Sequence, residues 1–143
     1  MAEINDKDFK GMNHHFPSIY KSVKLDNYRP DVCFAKNNEE LIVLELENKT
    51  DRKPYIGALL EACVHAEKES YRILKIYFIM IEKETQINVG QMANYAKPYV
   101  DWLKRKLEGI ILIQVFCISQ QDYQRINSDG VCILSCEECV EIE

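Results

Sequence analysis

Residues 73–81, Ile-Leu-Lys-Ile-Tyr-Phe-Ile-Met-Ile, form an almost unbroken apolar run rich in β-branched and aromatic side chains. The run is far shorter than the ~20 residues that a bilayer-spanning helix needs. A strand of this composition has no polar face to offer water, so it must be covered on both sides. It therefore belongs at the centre of a sheet packed between helices. Residues 110–118 repeat the pattern, interrupted by Gln114. No membrane span is expected in either run.

The segments before these two strands have the period of helices. Asp51 and Pro54 mark a helix start, and Ile56, Leu59, Leu60, Cys63 and Val64 recur at i, i+3, i+4, i+7 and i+8, carrying the helix to about Glu69. A second amphipathic helix spans about 90–107, with Met92, Tyr95, Ala96, Tyr99, Val100, Leu103 and Leu107 on one face. Gly109 stops it, and Pro98 is expected to kink it.

Upstream, residues 31–36 and 41–48 are two β-prone runs separated by the polar turn Asn37-Asn38-Glu39-Glu40, which predicts an antiparallel hairpin. Side chains in a strand alternate between faces. Val32, Phe34, Ile42, Leu44 and Leu46 therefore share one face, against the core. Asp31, Cys33 and Ala35 fall on the other with Val43, Glu45, Glu47 and Lys49. The register must set Asp31 opposite Glu45 or Glu47, since a slip of one residue would move Asp31 to the wrong side. A weak helix over 3–12, a strand over 19–25 with a turn at Asp26-Asn27, a short helix near 122–126 and a last strand over 131–134 complete the chain. The order α-β-β-β-α-β-α-β is that of an α/β (α+β) domain, a mixed central sheet flanked by helices. No repeat or linker divides residues 1–143, so one domain is expected.

The charge of −5 weighs against a nucleic-acid partner, because backbone binding requires Lys and Arg to displace counterions. The acidity is uneven, however. Glu137, Glu138, Glu141 and Glu143 crowd the C-terminal end, and without those four the balance is 18 basic residues to 19 acidic. A metal site would also require some of the remaining carboxylates. The first residues lack the basic and apolar regions of a secretory signal, so a cytoplasmic protein with reduced cysteines is expected. Cys33, Cys63 and Cys117 sit in apolar elements and suit core packing. Cys132, Cys136 and Cys139 leave two alternatives: free thiols near a terminal strand, or a zinc site lacking its fourth ligand unless Cys117 or a histidine supplies it.

The chemistry-bearing group is Asp31, Glu47 and Lys49, which hairpin parity brings to one patch. Two carboxylates so placed can share a hard divalent cation such as Mg²⁺. A bound cation activates water and neutralises a phosphoryl oxygen, while a lysine two residues from Glu47 can position that water or stabilise developing negative charge. Pro30-Asp31, a following strand that ends Glu47-Asn48-Lys49, and then a helix together resemble the PD-(D/E)xK nuclease superfamily, with its restriction endonuclease-like αβββαβ core over about residues 3–82. The resemblance implies that Asp31 and Glu47 are metal ligands, that the Asn48 backbone carbonyl completes the coordination, and that Lys49 is the catalytic lysine. It further implies Mg²⁺ or Mn²⁺ as cofactor and hydrolysis of nucleic-acid phosphodiesters, DNA in the first instance.

Accessory positions are more open. Glu45 alternates onto the face of Glu47, either as an outer ligand or turned to solvent at a bulge. The resemblance makes Glu3 a candidate for the acidic residue that some members of that superfamily contribute from the first helix. Glu61 and His65 have the spacing of the pair that other members of the superfamily carry on the helix after the motif, or else lie on its solvated face. His14-His15 suit phosphate contact or proton transfer, and equally an exposed loop. Arg52-Lys53 lies near the site and can touch a backbone phosphate, whereas Lys104-Arg105-Lys106 fits the C-terminal turn of a helix. A homodimer would allow both strands of a duplex to be engaged. The opposing possibility is a module that keeps the fold and binds or assembles without catalysis.

Overall fold

The computed structural model describes residues 4–47, 52–82 and 88–143. The elements run α1 (Asp6–Gly11), β1 (Tyr20–Ser22), β2 (Val32–Lys36), β3 (Glu40–Glu47), α2 (Lys53–Lys68), β4 (Ile73–Met80), α3 (Val89–Lys106), β5 (Leu112–Ser119), α4 (Gln120–Ser128), a 3-10 turn (Ile133–Ser135) and β6 (Val140–Glu141). The described strands form a mixed sheet in the order β1-β2-β3-β4-β5-β6. β1, β2 and β3 are antiparallel neighbours, β3, β4 and β5 run parallel, and β6 returns antiparallel on β5. The fold is thus the α/β mixed sheet flanked by helices that the apolar runs dictate. No described helix is long and apolar enough to cross a membrane.

Both faces of the sheet are covered, and the alternation in β2 and β3 decides which residue meets which layer. Val32, Ile42, Leu44 and Leu46 join Tyr77, Ile79 and Ile118 beneath Phe9 of α1 and Tyr123 of α4, with Phe34 packed against them. Cys33, Ala35, Leu41 and Val43 join Ile76, Phe78 and Met80 beneath α2 and α3. The hairpin register pairs Val32 with Leu44 and Phe34 with Ile42. Asn37, at φ 54°, makes the tight reversal, as short polar side chains tolerate.

Several elements differ from their sequence expectation. The first strand shrinks from 19–25 to Tyr20–Ser22, because Leu25 and Tyr28 bridge across a turn at Asn27 (φ 59°) and bury themselves under α2. Helix α2 is rotated: Tyr55, Leu59, Ala62, Cys63 and Ala66 face the sheet, while Leu60 and Val64 are half exposed. Small Ala62 and Ala66 let the helix sit close, which outweighs the larger side chains of the neighbouring stripe. Helix α3 runs through Pro98 and opens with a capping box between Asn88 and Gln91. Residues 131–134 are not a strand. Cys132 Sγ accepts from the Leu134 amide and starts the 3-10 turn, and β5 receives Val140–Glu141 instead.

Candidate functional site

The C-terminal end of β3, the N-terminal end of β2 and the start of α2 meet at one edge of the sheet. One step beyond the ladder pair Val32–Leu44, Asp31 stands opposite Glu45, resolving the two registers allowed by the sequence. The Asp31 carboxylate turns across the strand end: Oδ2 accepts the Leu46 amide at 2.8 Å, and Oδ1 lies 3.7 Å from Lys10 Nζ of α1. Burial raises its pKa and the Leu46 bond opposes that rise. The charge of Asp6 on α1 raises it further.

Glu45 is the most perturbed acid at this edge. Burial, then the charges of Asp31 and Glu47, push its carboxyl up to about 8. Its Oε1 accepts the Tyr28 hydroxyl at 3.3 Å, and the Tyr28 ring stacks on His65 of α2, centroids 5.2 Å apart. Glu47 ends β3, and its charge reaches Tyr55 in the first turn of α2, whose hydroxyl is raised by burial first and Glu47 second. Asp31, Glu45 and Glu47 are therefore electrostatic neighbours. His65 is tied to this group through Tyr28, on which the charge of the exposed Glu61 of the same helix also acts.

Asn48, Lys49, Asp51 and Glu3 lie outside the described residues. In sequence, Lys49 follows Glu47 by two positions, with Asn48 between them. Arg52 precedes α2 and rests 4.9 Å over the Tyr95 ring rather than on Asp31. His14 is buried between α1 and α4, with Nε2 2.8 Å from the Phe9 carbonyl and Nδ1 against the Tyr123 hydroxyl, so it holds the fold together. His15 has its amide bonded to Asn127. Lys104, Arg105 and Lys106 fall in the last turn of α3, as the helix dipole favours.

Among the described residues, no three His, Cys, Asp or Glu side chains converge into a metal cage. Cys132, Cys136 and Cys139 are free thiols, Cys136 donating to Glu138 Oε2 at 3.2 Å. The oxygen donors at this end of the sheet are the carboxylates of Asp31, Glu45 and Glu47. Burial and the charge of Asp6 raise Asp31, and burial with the charges of Asp31 and Glu47 raises Glu45, a like-charge environment that a divalent cation bound by carboxylate oxygens would relieve. Sequence reasoning missed Asp6, Lys10 and Tyr28, which reach the group only through tertiary packing; the turn at Asp26-Asn27 was the one local signal for Tyr28. No family model, curated protein or solved structure matches this chain.

Proposed function

We propose that this chain is a metal-dependent nuclease of the PD-(D/E)xK type that hydrolyses phosphodiester bonds of nucleic acid, DNA in the first instance. The observation that supports the reading is the hairpin register, which sets Asp31 opposite Glu45 one step beyond the Val32–Leu44 pair, with the charges of Asp31 and Glu47 both acting on the buried Glu45 carboxyl. Asp31 and Glu47 would hold Mg²⁺ or Mn²⁺, with the Asn48 carbonyl beside them. The ion, when bound, lowers the pKa of its water and neutralises charge on the phosphoryl oxygen. Lys49 would orient the attacking water or stabilise the charge that develops on the phosphate. Tyr28 fixes the Glu45 carboxyl, keeping the second carboxylate row in place behind the ligands. The free thiols of all six cysteines suit a cytoplasmic setting, and action on both strands of a duplex would call for a homodimer.

The test is cleavage of labelled single-stranded, duplex and branched DNA, and of RNA, by the full chain. Activity should require Mg²⁺ or Mn²⁺, vanish in Glu47→Ala, and fall about 10²–10³-fold in Lys49→Ala. Cleavage unchanged by Lys49→Ala would overturn the assignment. One observation favours a second reading, a binding module without catalysis: both Asp31 oxygens already have partners, the Leu46 amide and Lys10. Titration calorimetry separates the two. Mg²⁺ or Mn²⁺ binding that disappears in Glu47→Ala supports the metal site, and its absence in the wild-type chain supports the module.

A further inference from the structure

A cleft of about 450 Å³ runs between the end of α1 and the β1–β2 edge, and Asp31 forms part of its wall. Lys10, Lys24 and Arg29 line it against the single carboxylate of Asp31. Lys24 and Arg29 are exposed, and neither has a salt bridge among the described residues. In a chain of net charge −5 this concentration of cations, of which Lys10 is paired with Asp31 and the other two are not in a salt bridge among the described residues, is local and leads directly to the candidate site. The same wall contains Asn13 and the half-buried ring of Phe34, the latter stacked on Phe16 at 4.2 Å. Of the two titratable rings in the wall, His14 is turned inward to Phe9 and Tyr123, and the Tyr28 hydroxyl donates to Glu45.

From these features we infer that the cleft is a track for the sugar-phosphate backbone of a single nucleic-acid strand, gripped by Lys10, Lys24 and Arg29 as it passes Asp31. This rests on the nuclease reading and adds the form of its substrate. A cleft of this volume is on the scale of small-ligand pockets, roughly 300–1,000 Å³, and is too small to seat a duplex. A duplex would need a broad positive face, which the acidic remainder of the surface does not provide. Cations with an aromatic edge beside them are the combination that single strands use, phosphates meeting the charge and a base meeting the ring.

The experiment is fluorescence anisotropy of a labelled 12-nucleotide single strand, (about one binding site long), a duplex of the same sequence and a poly-glutamate of similar charge, each with the full chain in EDTA. The single strand should bind more tightly than the other two. Three phosphate contacts predict a slope of log K against log [salt] of about −2. In the Lys24→Ala/Arg29→Ala double variant binding should weaken about tenfold and the slope should fall by about 1.4. Both side chains are exposed, and circular dichroism checks that the variant is folded. Equal or tighter binding of duplex or poly-glutamate, an unaltered double variant, or no binding at all would overturn the inference. The two proposals fail separately. Binding of this pattern without any cleavage in Mg²⁺ removes the nuclease and leaves the cleft, whereas metal-dependent cleavage unchanged in the double variant removes the cleft and leaves the nuclease.

Discussion

Asp31 carries two duties that substitution can divide. Its Oδ2 satisfies the Leu46 amide at the end of β3, where the backbone of β2 no longer reaches; its negative charge contributes to the acidic group. Asp31→Asn retains an oxygen for that amide and removes the charge, so stability should change little. Asp31→Ala leaves the amide unpaired and should cost about 1–3 kcal/mol in urea denaturation. Both should abolish nuclease activity, which is the outcome a purely structural aspartate would not give. Glu45 supplies the complementary pH test. A carboxyl raised from its ordinary 4.5 to about 8 in the folded chain holds a proton that the unfolded chain has released. Its contribution therefore favours folding at low pH and is lost as pH rises between those values. Glu45→Gln should flatten this decline in metal-free buffer, measured as Tm against pH, and an unchanged profile would show that Glu45 titrates normally.

At the scale of elements, β1, β3 and β4 are tied by one polar contact. Glu40 at the start of β3 accepts the Tyr20 hydroxyl at 2.8 Å through Oε2 and meets Lys75 Nζ at 2.9 Å through Oε1. Burial alone would raise the Glu40 pKa, but the bonds from Lys75 and Tyr20 outweigh it and hold the carboxyl below its ordinary 4.5. A depressed folded-state pKa stabilises the fold above 4.5, and that stability is lost as the carboxyl protonates on acidification. Glu40→Gln keeps an acceptor for Tyr20 but loses the charge, and should cost about 2 kcal/mol at pH 7. Denaturation repeated below the ordinary carboxylate range should bring variant and wild type together. The elements themselves were unequally legible. Continuous apolar runs fixed β4 and β5, and parity alone placed Asp31, Glu45 and Glu47 at one end of the hairpin, because each signal is carried by adjacent residues. The buried face of α2 was not legible, since Ile56, Leu60 and Val64 satisfy the helical period as well as Tyr55, Ala62 and Ala66 do. Its choice depends on how closely the helix can approach the sheet. Lys10 and Asp6 likewise join the site only because Phe9 pins α1 on the opposite layer.

For the molecule as a whole, the weak point is the outer edge of the sheet. β5 is buried along most of its length, yet its outer edge is paired only near its middle, where Phe116 faces Glu141 and Cys117 faces Val140. The cover continues one residue further, with the Ile142 amide donating to the Val115 carbonyl at 2.8 Å and the Ile142 side chain buried in the α2–α3 layer. The local signal for this strand is slight, the four-residue alternation Val140-Glu141-Ile142-Glu143, and its partner lies more than twenty residues upstream. An uncovered strand edge of Val-Phe-Cys-Ile composition is a template for pairing with another chain. Removal of residues 140–143 should therefore lower Tm and produce concentration-dependent self-association, read by light scattering. Ile142→Ala retains the backbone cover and loses only the apolar anchor. It should cost about 2 kcal/mol and leave the chain no more associated than wild type. If the two variants self-associate alike, the protection comes from the Ile142 anchor; if neither does, the short strand has no guarding role and the charged termini of the sheet suffice.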